Sequence, residues 1–172
     1  QTGPNEWQYS LDVLAFGAEV PTVRLPLPGG VSEAATQLST YALSASGERV
    51  VALLCQYGEA GGPARLLQWQ RATGAALPTV TLDMPCGMHT YPEGSRLALT
   101  ADGSAAALIL SGQRYVWWVE LNHNRFRKSP AVPEFLPQDG DWLMRPIVTL
   151  ALAPNTSEVA VVGHDGLLRR LA

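Results

Sequence analysis

Cysteine is scarce in this chain. The two residues present, Cys55 and Cys86, are too few for a disulfide framework or a four-cysteine metal site. An excess of one charge is also missing. Twelve basic against fifteen acidic residues leave a net charge of −3, which argues against a surface built to coat nucleic acid and leaves room only for local patches. No apolar run reaches the ~18–20 residues needed to cross a bilayer. The opening QTGPNEW has no basic stretch leading into an apolar one, so no signal peptide is visible, although a mature secreted chain would look the same. Catalytic motifs are equally thin. His89, His123 and His164 fall in three separate turns, without H-x-x-x-H or H-E-x-x-H spacing. There is no G-x-S-x-G elbow, and no pair of carboxylates stands out. Gly58–Arg65 (GEAGGPAR) lacks the Lys-Ser/Thr ending of a phosphate loop and reads as a long hairpin connection. The expectation is a protein without catalytic residues, cofactor or metal.

What is present is a domain's worth of alternating strands. The 172 residues are 47% apolar and 16% charged, enough to bury a core. Thirteen prolines and sixteen glycines interrupt the chain too often for helices. Ser32–Leu38 (SEAATQL) alone has helix-like composition, good for a turn or two. Three segments align without gaps, starting at residues 41, 97 and 150: YALSASGERVVALL, LALTADGSAAALIL and LALAPNTSEVAVVG. Each reads as an alternating strand, a polar turn and a second apolar strand. Ser46-Gly47, Asp102-Gly103 and Asn155-Thr156 share the turn columns, and Asp-Gly suits a type I′ turn, whose two central residues need positive φ. A second similarity lies in another phase. Trp7-Gln8 is followed by VPTVRLPLPGG, Trp69-Gln70 by LPTVTLDMPCG, and Trp118-Val119 begins the same step again, running on to AVPEFLP. Written as strands, the chain reads c-d, a-b-c-d, a-b-c-d, a-b-c.

These residues resemble β-propeller blades of the WD40-like kind. LALTADGSAAALIL looks like the family's first two strands, and LLQWQRATGAALPTV like its third and fourth, with Trp69 at the eponymous Trp and Gln70 replacing the Asp. GHDGLLRRLA looks like the turn into a third strand, Asp165 matching the turn aspartate. The repeats depart from the family in places: Trp118-Val119 and Leu171-Ala172 stand where Trp-Asp belongs. Leu167 and Leu171 replace two partners of the aspartate's hydrogen-bond network, so that network is expected to be absent. The resemblance implies an all-β fold, a partial β-propeller of four-stranded antiparallel blades. Residues 1–30 would end one blade, 31–87 and 88–139 would be full blades, and 140–172 would be strands a-b-c of another. Sheets stacked face to face bury both sides, so about three units leave faces uncovered, to be covered by another segment of the ring or another chain.

On the resemblance's map, the d–a and b–c loops form a rim bearing His89, Tyr91, Trp142 and Arg145, residue types favoured at interfaces. The plain alternative has Trp142 plugging a blade interface and His89 capping a turn. Arg125, Arg127 and Lys128 (the chain's one lysine) form a basic cluster in a c–d loop on the opposite side. They suit phosphates or an acidic partner, with a solvated turn as the plain alternative. Alternation puts Tyr115 and Trp117 on one face of a strand and Trp118 on the other, all packing in cores with Trp7 and Trp69. Cys55, inside the apolar VVALLCQY, reads as a buried thiol, with a Cys55–Cys86 disulfide as the alternative. Asn155-Thr156-Ser157 fits the N-glycosylation pattern, which matters only in a secretory protein. The functional expectation is a non-enzymatic protein-interaction scaffold within a larger protein or complex, with a protein partner or the remaining propeller segment as its companion. A propeller-type hydrolase or lactonase, its channel site completed by other blades, is the alternative. A closed sandwich of about twelve strands is the alternative fold. The compartment stays open, an intracellular one being favoured.

Overall fold

The computed structural model describes residues 10–13, 23–27, 36–56, 62–86, 95–110, 115–129, 149–153, 158–162 and 168–171. They form thirteen strands in four antiparallel sheets. Blade 1 pairs β1 (Ser10–Val13) with β2 (Val23–Pro26). Blade 2 runs in sequence order through β3 (Thr36–Leu43), β4 (Arg49–Gln56), β5 (Gly62–Gln70) and β6 (Ala75–Cys86). Blade 3 repeats that order with β7 (Arg96–Leu99), β8 (Ala105–Ile109), β9 (Trp117–Glu120) and β10 (Arg125–Lys128). Blade 4 holds β11 (Thr149–Leu152), β12 (Val159–Val162) and β13 (Leu168–Leu171). The blade boundaries read from the sequence, near residues 30, 87 and 139, fall outside the described residues.

Alternation along the strands sends apolar side chains to both faces of each middle sheet, and three clusters result. Between blades 1 and 2 lie Leu25, Val50, Ala52, Leu54, Leu67 and Trp69. Between blades 2 and 3 lie Val51, Leu53, Leu66, Leu82, Leu108, Trp117 and Val119 among others. Between blades 3 and 4 lie Ala107, Ile109, Val116, Leu150, Val159 and Val161. The first strands of blades 2, 3 and 4 lie side by side, β7 beside both β3 and β11, so the sheets fan out from an inner row. This is β-propeller architecture and not a sandwich, because the middle sheets are covered on both faces.

Several local expectations need correction. Thr36–Leu38 belong to β3, because pairing with β4 outweighs a weak local helix preference. Gly62–Arg65 are strand and not loop, paired with the end of β6 and with Thr81. The first two aligned turns are not two-residue type I′ turns, and the third, at Asn155-Thr156, lies outside the described residues. Only their glycines have positive φ, Gly47 at 74° and Gly103 at 70°. The Gly47 and Gly103 N–H groups donate back to the Ser44 and Thr100 carbonyls at 2.8 and 3.0 Å. Each is thus a longer turn ending in a left-handed glycine. Cys55 is buried but is not a free thiol: it is disulfide-bonded. The sequence contains one other cysteine, Cys86.

Gly103 has a second constraint. A Cβ there would lie 2.9 Å from the Arg49 Cβ and 3.2 Å from the Ser44 Cβ of the neighbouring blade. Close by, the Ser46 N–H donates to the Ala101 carbonyl at 3.0 Å, tying the two turns together. Gly103→Ala is expected to destabilise the fold by about 1–3 kcal/mol, through both strained φ and inter-blade contact. Urea titration checks this, and an unchanged midpoint would contradict the close approach. Alkylation of the unfolded, unreduced chain should find no reactive Cys55 thiol until a reductant is added. Cys55→Ala should cost about 2–5 kcal/mol of stability.

Candidate functional site

The described surface carries its densest charge on the β9–β10 hairpin. Glu120 pairs with Arg125 and closes the strands, and the four-residue turn Leu121–Asn124 returns through Asn124 at a φ of 50°. Arg125, Arg127 and Lys128 therefore stand on the outer strand of blade 3, not in a c–d loop as the sequence suggested. The hairpin closes earlier than expected because Asn124 tolerates the left-handed region that ends the turn. All four β10 side chains are exposed. Alternation gives the strand two different faces. On the side of blade 4, the Arg127 guanidinium lies 6.0 Å from the Trp118 ring centroid. On the side of blade 2, the Lys128 ammonium lies 4.8 Å from the Tyr115 ring, and Phe126 meets Trp117 with centroids 6.0 Å apart. Tyr115 and Trp117 thus share one face and Trp118 has the other, as alternation predicts.

Arg125 is the cation with an acidic partner. Its Nε donates to the Glu120 carboxylate at 3.0 Å, and its Nη2 donates to the same oxygen. His123 Nδ1 lies 3.4 Å from that carboxylate. The Arg125 hydrogen bonds lead in holding the Glu120 carboxyl below its ordinary 4.5; desolvation comes next and opposes them, and the charges of Arg125 and His123 add to the lowering. Arg127 and Lys128 meet rings and, among the described residues, no carboxylate. Ring contacts leave the positive charge intact.

A polar seam joins this hairpin to blade 2, and sequence reasoning missed it. Arg49 donates through Nη1 to Asn122 Oδ1 at 2.9 Å and to Gln68 Oε1 at 3.4 Å. Gln68 is buried and donates through Nε2 to the Pro78 carbonyl at 2.6 Å and the Leu121 carbonyl at 3.5 Å. The one available signal was a glutamine inside the apolar run LLQWQ. At the neighbouring turn, Asp102 accepts the Ser104 N–H at 3.0 Å and the Thr100 and Ser104 hydroxyls at 2.8 Å each. The Ser104 N–H leads in lowering its carboxyl below the ordinary 3.8, with both hydroxyls adding.

Pairing also shifts the repeat alignment by one residue. Val50 stands opposite Trp69, and its counterpart Ala106 stands opposite Val119. Trp69 therefore corresponds to Val119 and Gln70 to Glu120, so the expected Trp118-Val119 match is off by one. Trp69 is buried against blade 1 and donates its indole N–H to the Pro26 carbonyl at 3.1 Å. Trp118 points to the other side, against blade 4. The rim residues His89, Tyr91, Trp142 and Arg145 lie outside the described residues, as do Trp7, His164, Asp165 and Leu167. Among the described residues no group of three or more His, Cys, Asp or Glu side chains gathers in a metal-holding arrangement. No helix among them is long and apolar enough to cross a membrane.

With this geometry in place, solved structures show similarity. The chain is similar to the Kuenenia stuttgartiensis hydrazine synthase at 11% identity and a TM-score of 0.56, over 95% of this chain and 51% of that one. It also matches a structure of U3-55K (11% identity, TM-score 0.44, 82% of this chain and 40% of that one). RRP9 WD40 repeats give 12% identity and a TM-score of 0.45, over 81% of this chain and 38% of that one. The chain thus spans about half or less of each of these three chains. No family model and no curated protein matches it. Identities this low speak to fold alone, and the propeller assignment rests on the radial stack of sheets.

Replacing Glu120 with Gln tests the hairpin's electrostatics. The carboxyl is depressed in the folded chain, so its stabilising effect is full above the ordinary value and is lost as pH falls through the lowered one. Glu120→Gln should therefore melt below the parent at pH 7, and the two should converge as the pH is taken well under 4.5. A gap of equal size at every pH would contradict the pairing.

Proposed function

We propose that this chain is part of a propeller that acts as a non-enzymatic interaction scaffold inside a larger protein or complex. One observation carries the reading: the far face of blade 4. In the repeat register, Val51 and Leu53 of blade 2 face blade 3, and their counterparts Ala107 and Ile109 of blade 3 face blade 4. The next pair, Ala160 and Val162, occupies the same positions on β12 and is only partly buried. Beside it, Ala151 is exposed and Leu168 is 70% exposed. The other two blades use these positions to hold a neighbour, so an apolar face of this kind suits a further sheet. At 11% identity, the similarity to a hydrazine synthase chain speaks to fold alone and carries no activity over to this chain. For the scaffold itself, His89, Tyr91, Trp142 and Arg145 are the loop residues whose side-chain types suit a docked protein segment.

Native mass spectrometry of the 172-residue chain over a range of concentrations tests the reading. Association is expected, and the charged variants Val162→Asp and Leu168→Asp should reduce it while leaving the urea midpoint within about 1 kcal/mol of the parent. A parent that stays monomeric at every concentration, with unchanged behaviour in both variants, would overturn the proposal.

A further inference from the structure

The outer strands of the blades are not alike. β2 ends in Pro26, and β6 contains Pro78 and Pro85, residues that remove backbone donors and spoil an edge for pairing. β10 has no proline. It is hydrogen-bonded to β9 on one side and, among the described residues, to no strand on the other. Among the described residues its outward row of N–H and C=O groups thus has no strand partner, which suits another extended chain. β13 also lacks proline and, among the described residues, a further neighbour, but its Arg170 is paired with Glu158 and it begins with the exposed Leu168. β10 instead offers three exposed cations in four residues, on a chain whose net charge is −3.

We infer that the β10 edge is a docking site for an acidic extended peptide, which adds to blade 3 as a fifth strand. Charge complementarity selects the occupant. Basic side chains repel a basic edge, lose hydration without compensation against a neutral one, and admit one that brings carboxylates. Backbone pairing supplies the direction and the alternate side chains supply the pattern. In the antiparallel sense of the sheet, the added strand meets Lys128, Arg127, Phe126 and Arg125 in that order. The matching peptide core is acidic, acidic, apolar, acidic. Among the described residues Arg127 and Lys128 meet only aromatic rings, so no carboxylate there has to be displaced from them. Arg125 keeps Glu120 and contributes less. Arg127 and Lys128 lie on opposite faces of β10, so an incoming strand is held from both sides.

The probe is a fluorescent peptide with a Glu-Glu-Val-Glu core in neutral flanks, titrated by anisotropy with the 172-residue chain at low and high salt. Saturable binding that weakens with salt is expected, along with a loss of about three- to tenfold in affinity for the Arg127→Ala, Lys128→Ala double variant. N-methylation of alternate peptide residues, which keeps every charge but removes strand pairing, should abolish binding. A peptide with Lys in place of Glu should not bind, and this comparison holds even if the double variant fails to fold. Absence of binding would overturn the inference, as would equal binding of the N-methylated peptide, which would mean charge attraction alone. A single-stranded DNA decamer that binds more tightly than the peptide and displaces it would overturn the inference in favour of phosphate recognition.

Discussion

Burial of each sheet on both faces is the constraint on which the rest of this structure depends. A strand such as β4, with Val50 and Ala52 on one side and Val51 and Leu53 on the other, cannot be satisfied by a single partner layer. Blade 1 must cover one face and blade 3 the other. The same demand passes to β8, whose Ala106 and Leu108 face blade 2 while Ala107 and Ile109 face blade 4. A sheet that needs neighbours on both sides propagates, and strand twist turns the propagation into a fan around an inner row of strands. Alternating polar positions would have stopped the series, and β12 does not supply them: Ala160 and Val162 continue the pattern.

Apolar faces stack sheets but do not fix how they are rotated against each other. That role falls to the polar seam at the turns. Gly103 permits the Thr100–Ser104 turn to sit against Arg49 and Ser44, and the Ser46 to Ala101 hydrogen bond fixes the approach. Arg49 then reaches Asn122 across the interface while Gln68 holds two carbonyls in a site that water does not reach. Buried polar groups of this kind are costly if misplaced, so they select one blade-to-blade angle among those that the apolar contact would accept.

Much of this was legible in the chain because it is written in alternation. The hairpins built from the segments starting at residues 41 and 97, the two-sided placement of Tyr115, Trp117 and Trp118, and the burial of Trp69 all follow from a period of two. The errors arose where pairing, not pattern, sets the outcome. Trp118 was matched to Trp69 on identity, yet the cross-strand partners Val50 and Ala106 assign that position to Val119. The basic cluster reads as a loop because three charges in four residues imply solvent exposure. An edge strand is equally exposed, and composition does not separate the two. Arg49, Gln68 and Asn122 were invisible as a group, since nothing in a linear pattern joins residues that meet only when two blades do.

The outer strand of blade 3 shows how one set of residues serves two needs. Trp118 and Tyr115 belong to the apolar clusters on either side of the blade, and both are only partly buried at its outer margin. Arg127 and Lys128 lie over those rings. Their charged heads cover part of the aromatic surface and remain exposed to water. A carboxylate pair would have neutralised the charge, but a ring does not, so a structural lid leaves a positive edge behind it. Proline does the protective work on β2 and β6 at the expense of backbone donors. On β10 the protection is electrostatic and the donors survive, and that difference makes this edge selective where β2 and β6 are closed.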